Sequence, residues 1–363
     1  MLPESLVRFA REKVPYYASY IDKEGIVPIE LMEELKRLGF FAVAVPKEYG
    51  GLGLGLKGLI ELGMLFAESS IPLASIGIIH AGVAISIMLH GSSELKENVL
   101  PRMARGEVIG AVSITEPGGG SDLAANTRTS YSVEGERVTV KGEKIFTSNG
   151  IYAGIFLVLA RPASSSGREF SLIVVPKTDD VAVEPLELTA FRGAGIARVV
   201  YKNATTRRSW MLEGDGFKLA LELINYGRLA YAAMGIGASR GLLRATLRHA
   251  SAHKLFGQNL IEFQGPRWML ATIYSRTSIL EEALRRVAER GSPDPLLAAM
   301  LKVEASRLAM EAAHIALQLH GGRGLEAHSL TERMLRDTTA LAIGEGANEV
   351  LLDYISRIMM KRL

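Results

Sequence analysis

The segment TEPGGGSD at 115–122 sets three consecutive glycines between two hydroxyl side chains. Gly118, Gly119 and Gly120 free the main chain from Cβ clashes, so that backbone N–H groups can converge on an anion; Thr115 and Ser121 add hydroxyls. No Gly-Lys-Ser/Thr follows, which excludes a P-loop. On residue chemistry alone the segment fits a phosphate cradle and a flexible turn equally well. A second run, GLGLKG at 53–58, matches G-x-G-x-x-G. A dinucleotide fold would need a strand running straight into the glycines and a helix after them. Here Pro46-Lys47-Glu48-Tyr49 intervenes and no βαβ alternation follows, so the run reads as a tight glycine-rich loop between helices.

Other chemistry-bearing residues point less far. His249 and His253 stand four apart in a helical stretch with no acidic ligand nearby, which reads as helix-surface histidines, not metal ligands. Glu311 and His314 form a single Glu-x-x-His pair, where a di-iron bundle needs two. No G-x-S-x-G elbow is present. The chain has no cysteine, which removes disulfides, thiolate metal sites and a cysteine nucleophile, and suits a cytoplasmic protein. No metal site is expected.

These groups must be positioned by a chain of 363 residues that is 48% hydrophobic, ample for a large core and for two or three domains. A net charge of +3 argues against nucleic-acid binding by bulk electrostatics. The N-terminus carries acids and lacks an apolar h-region, so it is not a secretory signal. Residues 71–89 carry no acid, Lys or Arg and approach spanning length, but Pro72, His80 and many small residues favour a buried helix over a membrane span.

The texture changes twice. Residues 1–106 read as an N-terminal helical domain: apolar residues recur at three and four around residues 27–43, with Pro28 at a helix start and Gly39 at its end. Further helices are expected near 56–68 and 94–103. Residues 107–212 alternate Val-, Ile- and Tyr-rich runs with turn residues, giving a middle β-domain of barrel or sandwich type. A hairpin is expected at Glu134-Gly135, a second turn at Lys141-Gly142, three further strands, and a surface loop at residues 164–167. From 213 to 363 the helical period returns in segments long enough for a C-terminal four-helix bundle. The fold class is therefore mostly α with a central β-domain.

Taken together the motifs resemble the acyl-CoA dehydrogenase family over nearly the whole chain. LGFFAVAVPKEYGGLG (38–53), SITEPGGGSD (113–122), VKGEKIFTSNG (140–150), FGQNLIEFQ (256–264), QLHGGRGL (318–325), ERMLRD (332–337) and GEGANE (344–349) follow in family order. The resemblance implies FAD bound without a Rossmann fold, and a homo-oligomer, commonly a dimer of dimers, in which a neighbouring subunit completes the adenine end. It implies roles residue by residue. Thr115 and Gly120 would line the flavin, and Ser121 would lie between cofactor and thioester tail. Phe146 would cover the isoalloxazine, with Thr147 and Ser148 retaining a hydroxyl where a Thr is usual. Phe256 and Gln264 would reach the cofactor across the dimer, and Gln318, Gly321 and Gly322 would form a further cofactor contact where glycine allows close backbone approach. The usual pyrophosphate Arg is replaced by His253, followed by Lys254; neither offers Arg's bidentate fork, so weaker FAD retention is expected. Gly346 and Asn348 match the loop after the base, with Ala347 in place of a common Thr.

For the chemistry, the resemblance implies that Glu345 removes the α-proton of an acyl-CoA while the β-hydrogen leaves as hydride to flavin N5, giving a trans-2-enoyl-CoA. A base on one face and stabilisation of the enolate oxygen are what this reaction requires. Some branches carry the base on the first bundle helix, immediately before an Arg that matches Arg228; here that position is Gly227, which cannot act. Asn225 and Arg228 would contact the pantetheine or pocket mouth, and Arg357 the CoA tail. The expected partner is an electron-transfer flavoprotein. The alternatives are an acyl-CoA oxidase using O₂ and, in another class, a nucleic-acid-binding or assembly module. The latter relatives tend to carry a long basic C-terminal extension, whereas the sequence here runs six residues past Arg357.

Overall fold

The computed structural model describes residues 1–164 and 169–362; of the loop expected at 164–167, all but Ser164 lies outside them. Six helices come first: α1 (Glu4–Glu12), α2 (Val14–Glu24), α3 (Ile29–Arg37), α4 (Gly55–Ala67), α5 (Ile71–His90) and α6 (Ser93–Ala104). Pro28 occupies the N-cap of α3, and Gly39 follows its end at φ 79°. The 53–58 glycine run divides: Gly53 stays in the loop, whereas Gly55 opens α4 and Gly58 lies inside it. A Cβ at Gly58 would lie 2.6 Å from Val43 Cγ1, so the absent side chain serves close packing. Helix α5 begins where Ser70 accepts a hydrogen bond from Leu73 N–H (3.4 Å) and Pro72 sits in the first turn. It is long and apolar enough to cross a membrane, but 94% of its most apolar window is buried inside the protein. At about 1.5–3 kcal/mol for each fully buried aliphatic side chain, the protein interior already supplies what lipid would offer.

The middle region holds β1 (Gly110–Ser113), a short helix α7 (Leu123–Asn126), β2 (Ser130–Glu134), β3 (Arg137–Thr147), β4 (Ile155–Pro162), β5 (Ser171–Pro176), β6 (Val181–Pro185) and β7 (Ala197–Arg207). Among the described residues they form one seven-stranded sheet in the order β1-β4-β2-β3-β7-β6, with β5 on the other side of β4. The run IFLVLA in β4 is buried on both faces. Phe156, Val158 and Ala160 meet Val138, Val140 and Tyr201 inside the curled sheet, while Ile155, Leu157 and Leu159 pack towards α5, α6 and the first long C-terminal helix. The β2–β3 hairpin turns at Gly135 (φ 57°), as expected. The second turn, at Lys141-Gly142, is not there. Strand β3 runs on to Thr147 with a register shift against β7 between Val140 and Gly142. Gly142 marks a bulge because a Cβ there would lie 2.5 Å from Thr129 Oγ1.

Helix α8 (Gly216–Ala252) opens the last region as a single 37-residue element, capped by Asp215, which accepts from Phe217 N–H (3.0 Å) and Lys218 N–H (3.3 Å). A two-residue hairpin follows, β8 (Lys254–Leu255) and β9 (Gln258–Asn259), then α9 (Gln264–Glu289), α10 (Pro295–His320), α11 (Leu330–Ile343) and α12 (Asn348–Arg362). Helix α8 packs on α9, α10 and α11, and also on α4 and α5. Small residues in MGIGASRG make this possible: a Cβ at Gly237 would lie 2.2 Å from Met64 O, and one at Gly235 would lie 2.7 Å from Ala305 O. One continuous helix thus fixes the N-terminal helices and the bundle to each other, and carries Asn225, Gly227 and Arg228 at their junction.

Candidate active site

Glu345 lies in the loop between α11 and α12, in a left-handed backbone conformation (φ 56°) that costs a non-glycine residue on the order of 1–3 kcal/mol. Three contacts hold it there. Its backbone carbonyl accepts from Arg228 Nε (3.2 Å), and Arg228 Nη1 donates to Asn225 Oδ1 (2.8 Å). The carbonyls on either side, of Ala342 and Gly346, both accept from Lys302 Nζ, at 2.9 and 2.7 Å. The Tyr231 ring packs on Gly344, where a Cβ would lie 2.5 Å from Tyr231 Cε1. The carboxyl end is lodged against α8 at Gly227, so the residue that cannot be a base makes room for the one that can. Burial pushes the Glu345 carboxyl up to about 7, against the pull of the Arg228 and Lys302 charges. A carboxyl poised there is a stronger base than an exposed one and still loses its proton near neutrality.

The TEPGGGSD loop and the end of β3 are built as one unit. Ile145 N–H donates to Thr115 O (2.9 Å), which sets Thr115 beside the Phe146 backbone. Beneath them Glu116 (5% exposed) and Lys144 (0%) pair at 2.8 Å. Lys144 also donates to Ile114 O (2.8 Å), and Glu116 accepts from Arg128 N–H (2.7 Å) and Thr129 N–H (2.9 Å). The loop is therefore anchored by a fully engaged buried ion pair, not left as a flexible turn. Gly120 passes so close to Thr115 that a Cβ would lie 3.1 Å from its Oγ1; Ser121 is exposed on the same loop. Phe146 is 55% exposed and, like Glu345, left-handed (φ 54°). An aromatic face held outward by strained backbone, next to Thr115 and Ser148, fits a flat ring system such as that of FAD. Thr147 is a correction. Its hydroxyl is buried 3.0 Å from Ser113 Oγ, which in turn accepts from Tyr201 Oη (2.8 Å). Strand alternation turns Thr147 into the core and leaves Ser148 as the hydroxyl at the strand end.

A third group gathers at the far end of the bundle. The His249 ring stacks on His320 (centroids 4.3 Å apart) and on His253 (5.0 Å), which brings the ends of α8 and α10 together. His253 is an exposed member of this stack and Lys254 is exposed next to it, with Gln318, Gly321 and Gly322 at the α10 terminus. A Cβ at Gly321 or Gly322 would meet nothing within 4 Å, so these glycines face open space. Phe256 sits at the tip of the β8–β9 hairpin, 96% exposed, in a Phe256-Gly257 turn with both residues at positive φ. Gln264 opens α9 and is also exposed. Arg357 is not among the groups gathered at Glu345: it is exposed on α12 and paired with Asp353 (2.8 Å).

Sequence reasoning missed Lys302, Tyr231, and the Glu116–Lys144 pair. The signal for Lys302 was its helical phase: it shares a face of α10 with Ala298, Ala299, Ala305, Ser306 and Ala309, whereas Glu304 and Arg307 fall on the exposed face. A lysine at such a site is buried with partners or not tolerated. For Lys144 the signal was strand alternation, since it shares the inward face with Val138 and Val140 across the bulge.

Comparison with known proteins agrees with this architecture throughout. Residues 1–107 match the family model "Acyl-CoA dehydrogenase, N-terminal domain", residues 111–204 the middle domain, and residues 214–360 the C-terminal domain. Acryloyl-CoA reductase (NADH) of Anaerotignum propionicum is 30% identical over 371 residues, covering 100% of this chain and 94% of that protein. Butyryl-CoA dehydrogenase from Megasphaera elsdenii superimposes with a TM-score of 0.91 at 25% identity, over 97% of this chain and 95% of the other. A chain from a structure of the electron transferring flavoprotein of Acidaminococcus fermentans superimposes with a TM-score of 0.92 at 26% identity, over 97% and 95%. The chain belongs to the acyl-CoA dehydrogenase family, FAD-dependent oxidoreductases acting on the CH–CH bond of acyl-CoA.

Proposed function

We propose that this protein catalyses α,β-dehydrogenation of an acyl-CoA to its trans-2-enoyl-CoA, with Glu345 as the base that takes the α-proton. The observation that carries the reading is the Glu345 carboxyl, lodged against Gly227 and raised to about 7 by burial. FAD would be held by Thr115, Gly120, Phe146 and Ser148, and would supply the two-electron acceptor for the β-hydrogen. Arg228 and Asn225 form a polar rim next to the base, suited to the amides of a pantetheine arm. The strained loop fixes the carboxylate before substrate arrives, so no reorganisation is needed at the moment of proton transfer. Short acyl groups are the first substrates to test, because butyryl-CoA dehydrogenase shares the fold along the whole chain.

The test is an anaerobic titration of the yellow protein with acyl-CoAs of graded length, following flavin absorbance. Bleaching that saturates with one class of acyl-CoA supports the reading; no bleaching with any of them removes it. An electron-transfer flavoprotein is the proposed electron partner, supported by the similarity to a chain from such a structure. A second subunit is proposed to cover Phe256, whose 96% exposure at a hairpin tip suits a residue seated on another surface. The reverse direction, reduction of an enoyl-CoA, is favoured by one observation, the likeness to an acryloyl-CoA reductase. Turnover of acryloyl-CoA or crotonyl-CoA by the dithionite-reduced enzyme, compared with oxidation of the saturated thioesters by the oxidised enzyme, separates the two.

A further inference from the structure

Of the charged residues on α10, Lys302 alone is buried, and its side chain is fully so; Glu304 and Arg307 nearby are exposed. An ammonium has three protons to donate, and here each has an acceptor: Ala342 O (2.9 Å), Gly346 O (2.7 Å) and Asn348 Oδ1 (2.9 Å). The first acceptor lies in the last turn of α11, the second follows Glu345 directly, and the third begins α12. The Asn348 amide is oriented in turn, because its Nδ2 donates to Ser306 Oγ (3.0 Å) one helical turn beyond Lys302. One cation thus ties together both sides of the strained loop that carries the base. A buried lysine used only to fill space would be replaced without loss by an apolar chain of the same length. One that straddles a left-handed glutamate instead sets where its carboxylate points.

From this geometry we infer that Lys302 is a positioning residue for proton abstraction: it clamps the Glu345 loop from both sides and sets a buried positive charge against it. The inference rests on the assignment of Glu345 as the base. Two electrostatic effects accompany this placement. The Lys302 charge lowers the Glu345 carboxyl against the upward push of burial, and Lys302 itself is brought down by burial to about 8, so it is still mostly charged at neutral pH. The other charges acting on Glu345 and Lys302 are Arg228 on α8 and Glu349 on α12.

The experiment compares the FAD-loaded wild type with Lys302→Met and Lys302→Arg, measuring the limiting rate of flavin bleaching by saturating acyl-CoA across pH. For Lys302→Met the rising limb is expected to move upward by about one pH unit, and the plateau rate to fall at least about tenfold. Lys302→Arg, which keeps the charge, is expected to restore the limb but not the full plateau. A purely structural role would lower flavin content or stability and leave the pH limb in place. A Lys302→Met protein with full flavin and an unmoved limb overturns the inference. If Lys302→Met does not fold, Ser306→Ala decides: it leaves the cation and frees the Asn348 amide. A lower plateau with an unmoved limb is expected; an unchanged plateau overturns the clamp. Glu345→Gln separates this from the underlying assignment. If that variant bleaches normally, the base itself is wrong. If it is inactive while Lys302→Met behaves as wild type, only the role of Lys302 is lost.

Discussion

A Cβ placed on Gly227 would fall 2.4 Å from Oε2 of Glu345. Helix α8 and the GEG loop therefore compete for one volume, and the side chain on the loop holds it. Gly227→Ala should push the carboxylate aside without touching the TEPGGGSD loop. The expected outcome is a fall in bleaching rate of about a hundredfold with flavin content unchanged. Stopped-flow absorbance on the purified variant checks both.

The pH dependence follows from the raised carboxyl. A carboxyl takes up a proton only when ionised, so with Glu345 as the proposed base the bleaching rate of the free enzyme should rise through about pH 7 and level off above it. The same shift has a sign for stability. A carboxyl raised in the folded state binds a proton that the unfolded chain releases. Its contribution is full below about 4.5 and is lost as pH rises through about 7. Glu345→Gln should remove that loss, so its midpoint advantage in denaturant over wild type should grow between pH 6 and pH 8.

The helix–strand–helix order was legible because periodicity changes at the boundaries, and the β4 run IFLVLA and the 37-residue α8 are long enough to be unambiguous. Lys141-Gly142 was misread because turn chemistry and bulge chemistry use the same glycine; only the Thr129 backbone, distant in the chain, distinguishes them. Thr147 and Ser148 were interchangeable by type, and strand phase separates them. The stack of His249 with His320 could not be seen, since it joins the ends of two helices more than seventy residues apart. Lys302 escaped for the same reason: its acceptors lie forty or more residues away in the chain.

The buried pair beneath the TEPGGGSD loop should be costly to break. Lys144→Met leaves the Glu116 carboxylate uncompensated at 5% exposure. Removing one partner of a buried pair typically costs about 3–5 kcal/mol. The expected result is a lower denaturant midpoint and loss of flavin from the purified protein. A Lys144→Met/Glu116→Leu double variant should recover part of the stability but not the flavin, because the backbone donors Arg128 and Thr129 lose their acceptor.

Phe256 offers the opposite case. It is 96% exposed on the folded chain, so Phe256→Ala should leave the stability of the isolated subunit within about 0.5 kcal/mol. If a neighbouring subunit and its cofactor cover this ring, the variant should lose flavin on dilution and gel filtration, or run as a smaller species. Flavin-to-polypeptide ratio and sedimentation velocity read the two effects.

The most direct measurement is anaerobic mixing of oxidised Glu345→Gln with the acyl-CoA that bleaches the wild type fastest. The carboxamide keeps the size of the side chain and removes the base. The expected result is a yellow protein that still binds the thioester, seen as a perturbed flavin spectrum, with bleaching slowed by at least about a thousandfold. Bleaching at the wild-type rate would contradict it and place proton abstraction on another residue.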